Sequence, residues 1–284
     1  MFINKSITSS INKSINETIT ASASGGSMQD IEASTVFDVD ATQASSYGGS
    51  GQTWANLVAS PADGEGQTAY DLQLGNTGSP STDDPTFTGS AGDSASYFLC
   101  DGGDNMSLVN SNANAPFFNK LHMGEAGQRW WIGFVLKTPT LATTNYALNA
   151  NDGSSSNHGI FLRYFSSGNM QVFTAQGTSS DFASVSSVIN SNTETLIILT
   201  YDRDTTTLDG YVNGVKVMND TGFVNAADAT DATHPYTFGG ISSGTNKWDN
   251  GTRLYAFSGG NDYLDATRES AIRAEYEARH GRTY

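Results

Sequence analysis

The densest apolar pattern lies at residues 196–218, LIILTYDRDTTTLDGYVNGVKVM. Residues 196–201 form an apolar run short enough for a strand buried on both faces. Asp202, Arg203 and Asp204 with the threonines after them make a polar turn, and residues 208–212 return. Asn213-Gly214 then supplies the two left-handed positions of a type I′ hairpin, and residues 215–218 leave again. Three strands joined this way leave an apolar face open, so they must be part of a larger sandwich. Residues 128–137 (QRWWIGFVLK) are apolar at adjacent positions, which predicts a central strand covered on both sides. Residues 160–165 and 170–175 flank Ser166-Ser167-Gly168-Asn169 as a hairpin, and 36–40, 236–241 and 253–257 complete the strands. Long loops are expected at 41–70, 75–95, 101–127 and 219–235.

The pattern changes at both ends. Over about 266–280 it becomes helical, with Asp265 as N-cap, Glu269 in the first turn, Arg279 and His280 in the last, and Gly281 at the stop. Leu264, Ile272 and Tyr276 share one side, which predicts a helix that closes the fold and carries no chemistry. At the other end, Ile3, Ile7, Ile11, Ile15 and Ile19 recur every fourth residue, and Ile-Asn-Lys-Ser-Ile occurs twice. Four is a multiple of the strand period, so an extended arm puts all five on one face, while the intervening Ser, Thr and Asn disfavour helix. The plainer reading is an unstructured tail. Residues 1–27 are thus read as an anchoring arm and linker, and 28–284 as one folded domain.

Tyr201-Asp202 followed by Tyr211-Val212-Asn213-Gly214-Val215 resembles the laminin-G-like branch of the concanavalin A-like jelly rolls. The strand at 253–257 followed by a short helix, and the segment Ser96-Tyr97-Phe98-Leu99-Cys100-Asp101-Gly102-Gly103-Asp104, are similar to that branch too. The resemblance covers about residues 30–284. It implies an all-β, antiparallel β-sandwich, here with an extended N-terminal arm and a short C-terminal helix. It supports a fold better than an activity.

Only 15% of residues are charged and Gly is abundant, as in proteins of many short strands joined by turns. The 14 Phe, 12 Tyr and 4 Trp provide enough apolar surface for a packed core. A net charge of −15 argues against nucleic acid as partner, because phosphate contact needs clustered Lys and Arg. No segment approaches the about 20 apolar residues of a membrane span, so no membrane insertion is expected. The N-terminus lacks the continuous apolar core of a secretory signal. The single Cys100 lies in an apolar run and reads as a buried thiol.

The chemistry-bearing candidates are sparse. Gly240-Ile241-Ser242-Ser243-Gly244 fits G-x-S-x-G, but no helical pattern follows it, so no catalytic serine is expected. Asp30/Glu32 and Asp38/Asp40 alternate without a third acid, and read as solvated edge residues rather than a glycosidase pair. His122, His158, His234 and His280 are far apart in sequence and show no zinc spacing. The resemblance implies calcium as an optional ligand at the sandwich rim, with Asp202, Asp204, Asp101, Asp104 and the pair Asn151-Asp152 as candidates, each also a plain turn former. For carbohydrate, Trp248-Asp249-Asn250 and Trp54 are the candidates, with Tyr47 nearby in kind; aromatics in sandwiches more often serve the core.

The expected function is a non-enzymatic structural protein of a tailed-bacteriophage virion, in capsid decoration, a head fibre or the tail. Its arm would dock on other virion proteins or on copies of itself, and its sandwich would face a host-surface glycan. The alternative is a secreted, extracellular carbohydrate-binding module, with or without calcium; an enzyme ranks last, for want of paired carboxylates.

Overall fold

The computed structural model describes residues 27–109, 115–151, 154–224, 230–240 and 248–284. Ile3, Ile7, Ile11, Ile15, Ile19 and Ser242 lie outside the described residues. Among the described residues sixteen strands form two eight-stranded sheets, and every pairing is antiparallel. The first sheet runs β14 (Val215–Asp220), β13 (Thr207–Val212), β12 (Glu194–Asp202), β7 (Arg129–Lys137), β16 (Arg253–Gly260), β5 (Tyr97–Leu99) and β4 (Thr86–Thr88), with β1 (Thr35–Asp40) along the far half of β16. The second runs β11 (Ser180–Val185), β10 (Met170–Gln176), β9 (His158–Tyr164), β8 (Asn145–Asn149), β15 (Thr237–Phe238), β6 (Met106–Leu108), β3 (Leu72–Leu74) and β2 (Thr53–Trp54). The expected β-sandwich is what the chain forms.

The two-residue period explains the layers. In β7, Trp130, Ile132, Phe134 and Leu136 face the core between the sheets, while Trp131 and Val135 face outward. In β12, Ile197, Leu199 and Tyr201 face in and Leu196 and Ile198 out. The outward set is covered by α2 (Ala266–His280), which lays Ile272 and Tyr276 on it, so the central strands are apolar on both faces. Asp265 caps α2 by accepting from the Thr267 and Arg268 N–H groups at 2.9 Å each, and Gly281 ends it in the left-handed conformation. The β13–β14 turn has Asn213 and Gly214 at φ +48° and +73°, as a type I′ hairpin requires.

The helix does more than close the fold. Arg279, almost fully buried, pairs with Asp38 at 3.1 Å, Asp40 at 3.4 Å and Glu275 at 2.9 Å. His280 reaches Asp40 at 3.2 Å through Nε2 and the Tyr284 hydroxyl at 2.7 Å through Nδ1. Asp38 and Asp40 are therefore not solvated edge acids: both are fully buried, because they stand on the outward face of β1 beneath α2. Glu32 is likewise engaged, in a two-pronged pair with Arg268 at 2.7 Å per bond. Within the expected loops the chain places β2, β4, β6 and the short α1 (Pro116–Lys120).

Candidate functional site

The residues singled out in the sequence are mostly structural. Trp54 and Trp248 are 0% and 1% exposed, so neither indole offers a face to a ligand. Trp54 packs on Phe98 and Phe257, at ring-centroid distances of 4.8 and 5.6 Å. Trp248 sits against Gly239, where a β-carbon would fall 1.6 Å from its Nε1. Tyr47 is buried, its hydroxyl donating to the Gly51 carbonyl at 2.8 Å. The Asp249 carboxylate accepts from the Ala142 N–H, the Thr143 hydroxyl and the Asn145 carboxamide at 2.7–3.1 Å, bracing the 142–145 loop; Asn250 is exposed. The platform expected at Trp248 and Trp54 is thus part of the core, because sandwich interiors need their largest apolar side chains.

The acidic candidates cap turns or meet arginine. Asp202 pairs with Arg129 at 3.2 Å and accepts the Asp204 N–H at 2.9 Å, while Asp204 accepts the Gly127 N–H at 2.8 Å. Asp101 accepts the Gly103 N–H at 2.9 Å, and Asp104 the Asp101 N–H at 2.7 Å. Asn151 is buried and its partner in the pair, Asp152, lies outside the described residues. Among the described residues no group of three or more His, Cys, Asp or Glu side chains is placed to hold a metal. The fold does bring His122 and His158, 36 positions apart in sequence, to 6.3 Å between rings.

A different surface gathers recognition chemistry. On β9 the inward residues are Ile160, Leu162 and Tyr164, so Phe161 and Arg163 face outward, with Phe165 following at the same period. Antiparallel register then builds two rows across the outer face of the second sheet. One is aromatic: Phe161 opposes Phe173, and Phe173 opposes Phe182. The Phe161 and Phe173 rings stack at 4.6 Å and 9°. The other is polar: Tyr146 opposes Arg163, Arg163 opposes Gln171, and Gln171 opposes Ser184.

Contacts between the rows fix the arginine. Its Nε donates to Gln171 Oε1 at 2.8 Å and one Nη to the Tyr146 hydroxyl at 3.0 Å. Its guanidinium lies 4.7 Å from the ring centres of both Phe161 and Phe165. No carboxylate pairs with Arg163 among the described residues. Phe161, 1% exposed, and Tyr146, 4% exposed, are buried beneath this layer, and the aromatic row opens only toward the sheet edge, where Phe182 is 59% exposed. Val224, also exposed, joins it there through a 2.7 Å bond from its N–H to Asp181. An isolated surface Phe is ordinary, but Phe182 lies in register with the stacked pair Phe161–Phe173, beside a positioned guanidinium, so apolar and polar groups adjoin on this face. The alternation Phe161-x-Arg163-x-Phe165 was the available sequence signal; which side of the sheet it faces required the register.

No protein-family model and no curated protein sequence matches the chain. Solved structures do. The CBM40 of a Ruminococcus gnavus IT-sialidase, bound to α2,3-sialyllactose, is 15% identical with a TM-score of 0.49, covering 63% of this chain and 95% of that one. Its α2,6-sialyllactose complex gives 15%, 0.49, 62% and 95%. A Trypanosoma rangeli sialidase in complex with 2,3-difluorosialic acid is 15% identical with a TM-score of 0.53, covering 86% of this chain and 33% of that one. At such identity the likeness concerns the fold alone, and this chain spans about a third of the sialidase.

Proposed function

We propose that this sandwich is a lectin-type, glycan-binding module, acting outside the cell without turnover, and that the outer face of β8–β11 is its binding surface. The observation that supports this is the aromatic row Phe161–Phe173–Phe182 running beside the polar row Tyr146–Arg163–Gln171. A pyranose ring has an apolar C–H face and a rim of hydroxyls. Its face stacks on Phe173 and Phe182, and its rim hydroxyls accept from Arg163 or exchange hydrogen bonds with Gln171. Strands lie about 4.8 Å apart, so three of them span roughly a disaccharide. The arginine is held before the ligand arrives, which lowers the ordering cost of binding.

Phe182→Ala is expected to weaken glycan binding by about two- to twelvefold, since an aromatic contact contributes about 0.5–1.5 kcal/mol beyond its area. Because Phe182 is exposed, stability should shift by no more than about 0.5 kcal/mol. Glycan-array hits followed by calorimetry on both proteins measure this. Undiminished binding by Phe182→Ala and Arg163→Met would remove the proposal.

The five-isoleucine pattern favours a compatible second reading, display on a virion through the arm. Each fully buried Ile contributes about 1.5–3 kcal/mol before ordering costs. Deleting residues 1–26 is expected to leave the melting temperature of the body unchanged and to abolish incorporation into the particle. Normal incorporation of the truncated chain would sink this reading.

A further inference from the structure

The sandwich is left open along one flank. There β11 ends the second sheet and β14 ends the first, each paired on one side only among the described residues. The two strands lie against each other. The opposite ends of the sheets, β2 and β4, have two and three residues, whereas β11 and β14 have six each. An edge of that length presents a row of unpaired N–H and C=O groups to any strand that can lie beside it.

Between these edges runs a groove of about 340 Å³ with an apolar floor and a polar rim. Ala183, Val185, Val217 and Met218 make the floor and pack on the core between the sheets; Ser184 and Asp220 stand on the rim. A bulge in β14, opposite Gly210 and Tyr211, brings the sequence neighbours Val217 and Met218 both onto the core. Val185 and Val217 are only half-buried. The charges that could guard the edges are engaged elsewhere: Lys216 meets Asp209 at 2.7 Å, and Asp181 accepts the Phe182 and Val224 N–H groups at 2.8 and 2.7 Å. Val224 thus occupies the Asp181 end of β11, which leaves β14 as the more open edge.

Residues 1–26, outside the described residues, carry a matching pattern. Drawn out as a strand, they put five isoleucines on one face with no proline among them. Lys5 and Lys13 against Glu17 make this segment +1, so the rest of a chain of net charge −15 stands at −16 and attracts it. From Ile3 to Ile19 the extended chain measures about 53 Å, while a six-residue edge measures about 20 Å. One groove therefore takes two isoleucines, and the others lie beyond the body that holds them. We propose that the arm of one copy adds as a strand to β14 of a neighbouring copy, seating its isoleucines in the groove beside β11. Backbone pairing supplies the attachment and the isoleucines set the register. Two isoleucines per groove, set against the cost of association, make a contact that dilution or heating releases before the body unfolds. Phe182 lies opposite Phe173 on the other side of β11, so the proposed glycan face stays open. The pairing needs neither a glycan nor a virus particle, so its test and theirs fail separately.

The test is sedimentation velocity on the full chain over a concentration series, with hydrogen exchange read on peptides covering β14. The weight-average mass should rise with concentration to that of a dimer or beyond, and amide exchange in β14 should slow by about tenfold as it does. Ile7→Asp/Ile11→Asp/Ile15→Asp should stay monomeric and keep fast exchange in β14 at every concentration. Val217→Lys, which sets a charge in the groove while its stem still covers the floor, should stay monomeric too. Where that variant does not fold, the arm variant and the exchange data decide alone. A full chain that is monomeric at its highest soluble concentration, association that survives the arm substitutions, or association without slowed exchange in β14 would overturn the proposal. Slow, arm-dependent exchange in a monomer would place the arm on its own body and overturn it as well.

Discussion

Arg279→Met is expected to lower the unfolding free energy by about 3–5 kcal/mol, the cost of leaving buried carboxylates without their counter-ion. Arg279 joins α2 to β1 by bonds to Asp38 and Asp40, both fully buried. Neither acid can reach water once the guanidinium is gone, and Asp40 keeps only His280 and the N–H and hydroxyl of Thr42. Urea denaturation at neutral pH measures the loss. Adding Asp38→Asn and Asp40→Asn to the variant should recover part of it, because the neutral carboxamides no longer need a cation. A loss below about 1 kcal/mol would show that the network does not hold the helix down.

The pH dependence of that loss has a definite sign. Burial pushes Asp40 upward, but His280 and Arg279 outweigh it and hold its carboxyl well below the usual range. Its stabilising contribution is therefore full above about pH 4 and fades as pH falls toward that lowered value. Asp38 goes the other way, since burial outweighs Arg279 and holds it above its usual range. Without Arg279 both carboxyls are pushed up and take protons sooner, which neutralises the buried charge. The deficit of Arg279→Met should thus be greatest near neutrality and narrow as pH falls below about 5.

Trp248→Ala is expected to destabilise the protein by about 3–5 kcal/mol, the range for removing a fully buried large aromatic. The indole is 1% exposed and fits against a glycine whose φ of +83° and lack of a side chain both serve that contact. Thermal melting checks the loss. Glycan binding measured well below the variant's melting point should be retained, because the β8–β11 face does not use this indole. Loss of binding in a folded Trp248→Ala protein would return the indole to the binding surface.

Long, strongly patterned elements were legible from their residues. Residues 128–137 and 196–218 show their strand character by period and turn chemistry, and α2 shows both caps. The expected hairpin at 160–165 and 170–175 is β9 and β10. The strands not anticipated are β2, β3, β4, β5 and β6, of two or three residues each, and β8 and β11. Two or three residues hold no period, and β11 is mostly polar because it is an outer strand with one open face. The glycan candidates went astray for a related reason. Trp248 lies beside Gly- and Asn-rich sequence, which reads as a loop, but a loop can fold its largest side chain inward.

From sequence alone came the material of the fold: an antiparallel sandwich, the type I′ turn at Asn213-Gly214, and a capped terminal helix with an apolar side. Those follow from local rules of period and backbone freedom, which act over a few residues. Tertiary structure decided the rest. It set the register that aligns Phe161, Phe173 and Phe182, buried Asp38 and Asp40 beneath a helix some 240 positions away, and laid the edges of β11 and β14 side by side. Such groupings depend on which distant segments pack together, and no local period encodes that.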